Sequence, residues 1–271
     1  MATISAIIIA QNEEQMIANC IETLRWCDEV IVVDDQSRDN TALAAEHAGA
    51  KVFTTRQSGF TWLRNLGKKH ATGEWVLYID ADERVTPKLR DRILEAMGKP
   101  GFSAYSLKRN DIHYGRWMEF GDWGNDRVVR LFKKDQLKTW AGEVHEHAEV
   151  NGHTGEIDEP LVHLTHRNML DGLKKSMTWT DIEAQLLFQA GHRKIGPLTL
   201  VKVTLQEFLR RAILKRGFKD GAEGWIESMV QAMNRFLVYE RLWELQRKPS
   251  LEESYAQIEK EILRQWEHDR A

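Results

Sequence analysis

The chain has 271 residues, enough for one large domain or a domain with an appendage. With 42% hydrophobic and 29% charged residues and a formal net charge of −3, it can bury a core; it is neither a disordered chain nor, taken whole, a polyanion binder. Its two cysteines, Cys20 and Cys27, fall in one predicted helix, so no disulfide framework is expected and a reducing compartment fits.

The opening MATISAIIIAQNEE lacks a basic leader and its apolar run stops at Ala10, which reads as a first strand rather than a signal peptide. Ile4–Ala10 is thus strand one. Glu13–Arg25 follows as a helix, with Met16, Ile17, Cys20, Ile21 and Leu24 at helical spacing. Strands at Glu29–Val33, Lys51–Thr54 and Trp75–Ile79 then alternate with helices at Thr41–Ala48, Phe60–His70 and Pro87–Met97. This alternation predicts a mostly parallel sheet with helices on both faces, and the continuous apolar strands agree. From Gly101 to His166 the pattern changes. Ala104–Lys108, Val128–Phe132 and Leu161–Leu164 read as strands, separated by loops such as GRWMEFGDWGND and WAGEVHEH. Beyond Asn168 the pattern is helical, near 168–190, 197–215, 219–247 and 250–268. The expected division is 1–167, with a donor half to about residue 100 and an acceptor half after it, then a helical extension over 168–271. No segment approaches the roughly 20 apolar residues of a membrane span, which predicts a soluble or peripheral protein.

The strand ends carry the chemistry. Strand one ends in Ala10-Gln11-Asn12-Glu13, strand two in Asp34-Asp35 and strand four in Asp80-Ala81-Asp82. Ligands of open parallel sheets bind beyond the carboxyl ends of the strands, so these groups should converge on one edge. Hard oxygen ligands there suit Mg²⁺ or Mn²⁺, which bind through one or two carboxylates plus substrate phosphates. The alternative is that one carboxylate caps the next helix and the others face solvent.

AIIIAQNEE, DDQSRDNT (34–41) and RNLGKKHATGEWVLYIDADE (64–83) together resemble family 2 glycosyltransferases of the GT-A fold. VVRLFKKD, WAGEVHEHAEV and LVHLTHRNMLDGLKK are similar, more narrowly, to a bacterial subgroup resembling lipopolysaccharide inner-core β-1,4-glucosyltransferases that act on heptose. The resemblance implies that Gln11, Glu13, Asp34 and Asp35 contact the nucleotide of a UDP-hexose. Asp34 has the alternative of capping its turn through Ser37. Arg64 would neutralise the diphosphate or else lie on a helix surface. Asp82 would hold the metal, and Asp80 would bond ribose or sugar or reach the metal through water. Inversion needs a carboxylate base. Glu143 and Glu146 both qualify, and the resemblance favours Glu146. His163 would add a metal or diphosphate contact, or be a core histidine. His145, Trp123, Trp140 and Arg167 are acceptor candidates: His145 would orient the base or the acceptor, Trp123 and Trp140, with Trp117, would stack on sugar, and Arg167, with His166, would cover phosphates. Each tryptophan has a core role as its alternative.

Between Arg167 and Lys219, eleven Lys/Arg stand against four Asp/Glu, a net of +7. Leu198, Val201, Leu205, Phe208, Leu209 and Ile213 recur there at helical spacing beside Arg210, Arg211, Lys215 and Arg216. A basic amphipathic helix reads as contact with an anionic membrane surface; packing on the catalytic domain, or a homodimer contact, is the alternative. No nucleic-acid recognition motif accompanies the charge. The reading is a metal-dependent hexosyltransferase acting on a lipid-linked saccharide at the cytoplasmic face of the inner membrane. A nucleotidyltransferase is the first alternative, opposed by AQNEE where a glycine-rich basic loop belongs. A non-catalytic saccharide- or lipid-binding module is the second, opposed by the intact DxD.

Overall fold

The computed structural model describes residues 2–57, 59–124, 126–142 and 146–269, leaving aside the side chains of Asp171, Lys174, Lys175 and Thr178. The chain forms two units, residues 1–119 with 123–166, and residues 120–122 with 167–271.

The first unit opens with β1 (Ile4–Ala10), α1 (Ile17–Glu22), β2 (Glu29–Asp34), α2 (Thr41–His47), β3 (Lys51–Thr54), α3 (Phe60–His70) and β4 (Trp75–Asp80). It continues with β5 (Glu83–Arg84), α4 (Pro87–Met97), β6 (Phe102–His113), β7 (Arg116–Trp117), β8 (Asp126–Lys133), β9 (Leu137–Ala141), β10 (His147–Val150) and β11 (His153–His163). One sheet has the order β3-β2-β1-β4-β8-β6-β11-β5, with β7 paired to β6, and β9 and β10 form a separate hairpin. β1 to β4 run parallel, as expected for the donor half. β8 is antiparallel to both β4 and β6, so the sheet becomes mixed beyond it.

β1, β2 and β4 are buried almost from end to end because both faces of the sheet are covered there. Ile4, Ala6 and Ile8 of β1 and Leu77 and Ile79 of β4 pack with Ile17, Cys20 and Ile21 of α1 and Leu89 and Ile93 of α4. On the opposite face Ile7, Val76 and Tyr78 pack with Leu63 of α3 and with Leu137 and Trp140 of β9. Gly67 lets α3 lie against β1: a Cβ there would stand 2.4 Å from Ile7 Cγ2.

Three expectations change. The first helix begins at Ile17, not Glu13. Asn12 has φ 56°, and the Glu13 carbonyl accepts from the amides of both Met16 and Ile17, so 13–16 is a turn. β6 is also much longer than its apolar run, because its second half carries polar residues into the interior, Asp111 among them, and β11 is longer because its mostly exposed first half, His153–Ile157, pairs with β6. β5, β7, β9 and β10 fall where loops were expected.

Glu29 staples the sheet's other end. Its carboxylate accepts from Ser5 Oγ (2.6 Å), Lys51 Nζ (2.6 Å), Thr72 N (2.6 Å) and Thr72 Oγ1 (2.7 Å). Although burial works against the charge, these donors hold the carboxyl down at about 2. That contribution is complete above the ordinary carboxylate range and is lost as pH falls through about 2. Glu29→Ala is expected to cost about 2–4 kcal/mol at pH 7, read from denaturant midpoints, and much less at pH 2. An equal loss at both pH values would contradict this account.

The second unit contains α5 (Met169–Gln189), α6 (Pro197–Leu209) running into a π-helical turn (Arg210–Leu214), a 3-10 turn (Gly217–Asp220), α7 (Gly221–Leu245) and α8 (Leu251–Asp269). Its core joins Ala184, Ile195, Val238 and Leu242. Arg235–Glu183 and Arg241–Asp181, each at 2.7 Å, tie α7 to α5. Among the described residues, no helix is long and apolar enough to cross a membrane.

Candidate active site

Strand register builds the edge. Ala10 pairs with Asp34 and Ile9 with Asp80, so β1, β2 and β4 deliver Gln11, Asp34-Asp35 and Asp80 side by side. Gln11 Nε2 donates to the Asp35 carbonyl (2.8 Å) and carboxylate (3.3 Å). The Asn12 amide donates to Ser37 Oγ (2.9 Å), and that of Glu13 to Thr41 Oγ1 (2.7 Å). Asp34 is 3% exposed; its Oδ2 accepts from the Ser37 amide at 3.3 Å, the capping role expected as the alternative. Its Oδ1, like Oδ1 of Asp35, is buried without a hydrogen-bond partner. A buried carboxylate oxygen left so is costly unless something docks there.

The DxD segment follows β4. Arg130 Nη2 grips Asp80 and also lies 2.9 Å from Glu83 Oε1, while Glu83 Oε2 accepts from the Asp80 amide at 2.8 Å. Glu83 and Arg130 are buried. Burial opposes the Asp80 charge, but Arg130 and then Arg64 outweigh it and hold the carboxyl below its usual range. For Glu83 burial dominates and pushes the carboxyl up, despite Arg130. Arg130 reaches this position from a bulge: Leu131 pairs with Tyr105 and Val129 with Ser106, leaving Arg130 unmatched on β8. Bulges re-aim side chains in this way beside active sites.

Asp82 faces β11, where β5 pairs Glu83 with His163. His163 Nε2 lies 3.5 Å from Asp82 Oδ2, and Nδ1 lies 2.6 Å from Asp111 Oδ1. Burial works against the imidazolium, but Asp111 and Asp82 outweigh it and push its pKa up to about 9. The donor set fits a divalent cation: Asp82 and His163 stand close enough to share one ion, whereas Asp80 is committed to Arg130.

Arg64 is buried, not on the helix surface. Its guanidinium lies 4.4 Å from the Trp140 ring centroid, and Nη2 lies 3.4 Å from Glu146 Oε1 and 3.9 Å from Asp80 Oδ1. Burial, then Arg130, lowers its pKa. Trp140, an acceptor candidate with a core role as its alternative, is 6% exposed, and its indole packs edge-on against Tyr78 and Phe132. Trp123 is half-buried beside His113 (4.5 Å between centroids) and His166 (6.4 Å), and Trp117 is exposed. Glu143 and His145 lie outside the described residues. Arg167 is an exposed residue of the second unit. Sequence reasoning missed Arg130, Asp111 and the role of Glu83. An arginine inside VVRLF is the signal that could have found them, because a buried charge must have partners.

A family model described as Glycosyl transferase family 2 matches residues 5–151, more than half of the chain. The chain belongs to the family 2 glycosyltransferases, and its GT-A-like α/β fold agrees. An uncharacterized glycosyltransferase of Rickettsia felis is 28% identical over 263 residues, covering 90% of each chain. The lipopolysaccharide core biosynthesis glycosyltransferase LpsC of Rhizobium meliloti is 25% identical over 262 residues, covering 93% of this chain and 97% of that one. Among solved structures, glucosyl-3-phosphoglycerate synthase from Mycobacterium tuberculosis with Mn²⁺, UDP and phosphoglyceric acid has a TM-score of 0.48 at 17% identity, covering 72% of this chain and 81% of that one. The protein is therefore a glycosyltransferase that resembles enzymes of lipopolysaccharide core assembly.

Proposed function

We propose that the chain moves a hexose, glucose from UDP-glucose, onto a lipid-linked saccharide such as heptose of the lipopolysaccharide inner core, with inversion. The observation that carries this is the convergence on one sheet edge of Asp34 and Asp35, each with an unpartnered buried oxygen, and the Asp82–His163 pair. Gln11, Glu13, Asp34 and Asp35 would hold the base and ribose. Arg64, whose Nε is buried without a partner, would meet the diphosphate. Asp82, with His163, would hold Mg²⁺ or Mn²⁺, which when bound stabilises the leaving diphosphate. Asp80, fixed by Arg130, would orient ribose or sugar. Glu146, held by Arg64, would take the proton of the attacking hydroxyl, with Glu143 as its competitor. The similarity to LpsC supports the acceptor class, and such an acceptor would place the enzyme on the cytoplasmic face of the inner membrane.

Asp82→Ala is expected to lower metal-dependent turnover of UDP-glucose by about 10²–10³-fold while circular dichroism stays unchanged. Undiminished turnover would sink the assignment. The His163 proton gives a second test. The imidazole holds that proton up to pH about 9 and must lose it to bind metal, so Mn²⁺ affinity should rise about tenfold per pH unit between pH 6 and 8. Affinity that is flat over that range, or equally steep in His163→Gln, would remove His163 from the ligand set.

A further inference from the structure

α6 turns an apolar face outward. On an ordinary surface helix the apolar stripe packs inward and the polar face meets water. Here Leu198 (85% exposed), Val201, Leu205 and Leu209 follow at three- and four-residue steps on one face, all exposed, and no residue of α6 is buried. Ile213 and Leu214 carry the exposed apolar surface on through the π-helical turn.

The charges around this stripe have one sign. Glu207 is the only acidic residue in the sequence between Arg193 and Lys219, and it lies half a turn away from the stripe. Its carboxylate accepts from Arg210 Nη2 (2.8 Å) and Arg211 Nε (2.6 Å). Arg210 also pairs with Asp122, and Lys215 Nζ lies 3.0 Å from the same carboxylate. Arg210, Arg211 and Lys215, which the sequence offered as lipid contacts, therefore serve the internal structure of this unit. Exposed cations outside these ion pairs include Lys202, on the stripe's own face, and Arg193, Lys194 and Arg216, which flank it in the chain. α8 makes the contrast. It too exposes an apolar stripe (Tyr255, Ile258, Ile262, Trp266), but with six acidic residues against two basic.

We propose that α6 and its π-helical turn form a docking surface for an anionic lipid bilayer. Leu198, Val201, Leu205, Leu209 and Ile213 enter the boundary between headgroups and acyl chains, and Lys202, Arg193, Lys194 and Arg216 meet lipid phosphates. The inference rests on the lipid-linked acceptor reading only for the reason a bilayer is visited. The surface stands on its own charge and exposure.

The test is co-sedimentation of the full chain with phosphatidylglycerol-containing vesicles and with pure phosphatidylcholine vesicles, without donor or acceptor. Binding is expected to the anionic vesicles and to weaken with salt. The pair Leu198→Asp and Leu205→Asp, and separately Lys202→Glu with Arg216→Glu, should each weaken it at least about tenfold. Ile258→Asp with Ile262→Asp in α8 should leave it unchanged, which controls for loss of any apolar surface. Absent binding, or binding indifferent to the α6 variants, overturns the proposal. A concentration-dependent dimer in light scattering that Leu205→Asp abolishes, with no vesicle binding, would assign the stripe to a second copy of the chain. Transfer to a detergent-solubilised acceptor is assayed separately, so the failure of one reading does not disguise that of the other.

Discussion

Arg130→Met should destabilise the first unit by about 3–5 kcal/mol, the usual cost of removing one partner from a buried ionic cluster. Arg130 is the cation in contact with both Asp80 and Glu83; Asp80 is partly open and keeps Arg64 at 3.9 Å, but Glu83 is fully buried and cannot turn to water without unravelling the link from β4 to β5. Methionine fills a similar volume, so the loss is electrostatic rather than a cavity. Part of it should return in Arg130→Met with Glu83→Gln, because burial already pushes the Glu83 carboxyl up and a neutral amide suits the site better than an unpaired charge. Chemical denaturation followed by tryptophan fluorescence reads both effects. A single-variant loss below about 1 kcal/mol would mean that the cluster is more hydrated than its geometry implies.

Glu146→Gln should leave UDP-sugar affinity within about twofold while transfer falls by about 10²–10⁴-fold, the range for loss of a general base. The substitution keeps shape and removes the acceptor of the proton. Glu146 suits the role because its side chain is four-fifths buried and held by Arg64 Nη2 at 3.4 Å, on the guanidinium that also faces Asp80. Near-full transfer in this variant, with loss in Glu143→Gln, would pass the role to Glu143. Loss of donor affinity instead would make Glu146 a support for Arg64 rather than a base.

The parallel half was legible because its signals are local. Isoleucine runs, short links and acidic strand ends follow from burial on both faces and from the place where α/β sheets bind ligands. Strand ends Asp34 and Asp80 flank the end of β1 because parallel strands in register put them there. The acceptor half was less legible for equally physical reasons. Arg109 and Asp111 interrupt the apolar pattern of β6, yet the strand continues because Asp111 is buried with its oxygen on His163. Arg130 sits where a bulge breaks the two-residue alternation, so no periodicity reveals which way it points. Trp140 shows the converse: a tryptophan in a glycine-containing loop motif suggested a sugar platform, but it is a core residue lying under Arg64. The basic tail was legible as charge and not as pairing, since the partners of Arg210 and Lys215 include Asp122, far away in sequence.

The central claim is a metal-dependent nucleotide-sugar site at the ends of β1, β2 and β4. Its most direct test is thermal stability of the full chain against a panel of nucleotide sugars, with and without Mn²⁺, because a ligand that binds only the folded state must raise its apparent stability. The expected result is a rise in Tm with UDP-glucose that requires Mn²⁺ and disappears in Asp82→Ala. No shift with any nucleotide sugar at millimolar concentration, from a protein that unfolds cooperatively, would contradict the account.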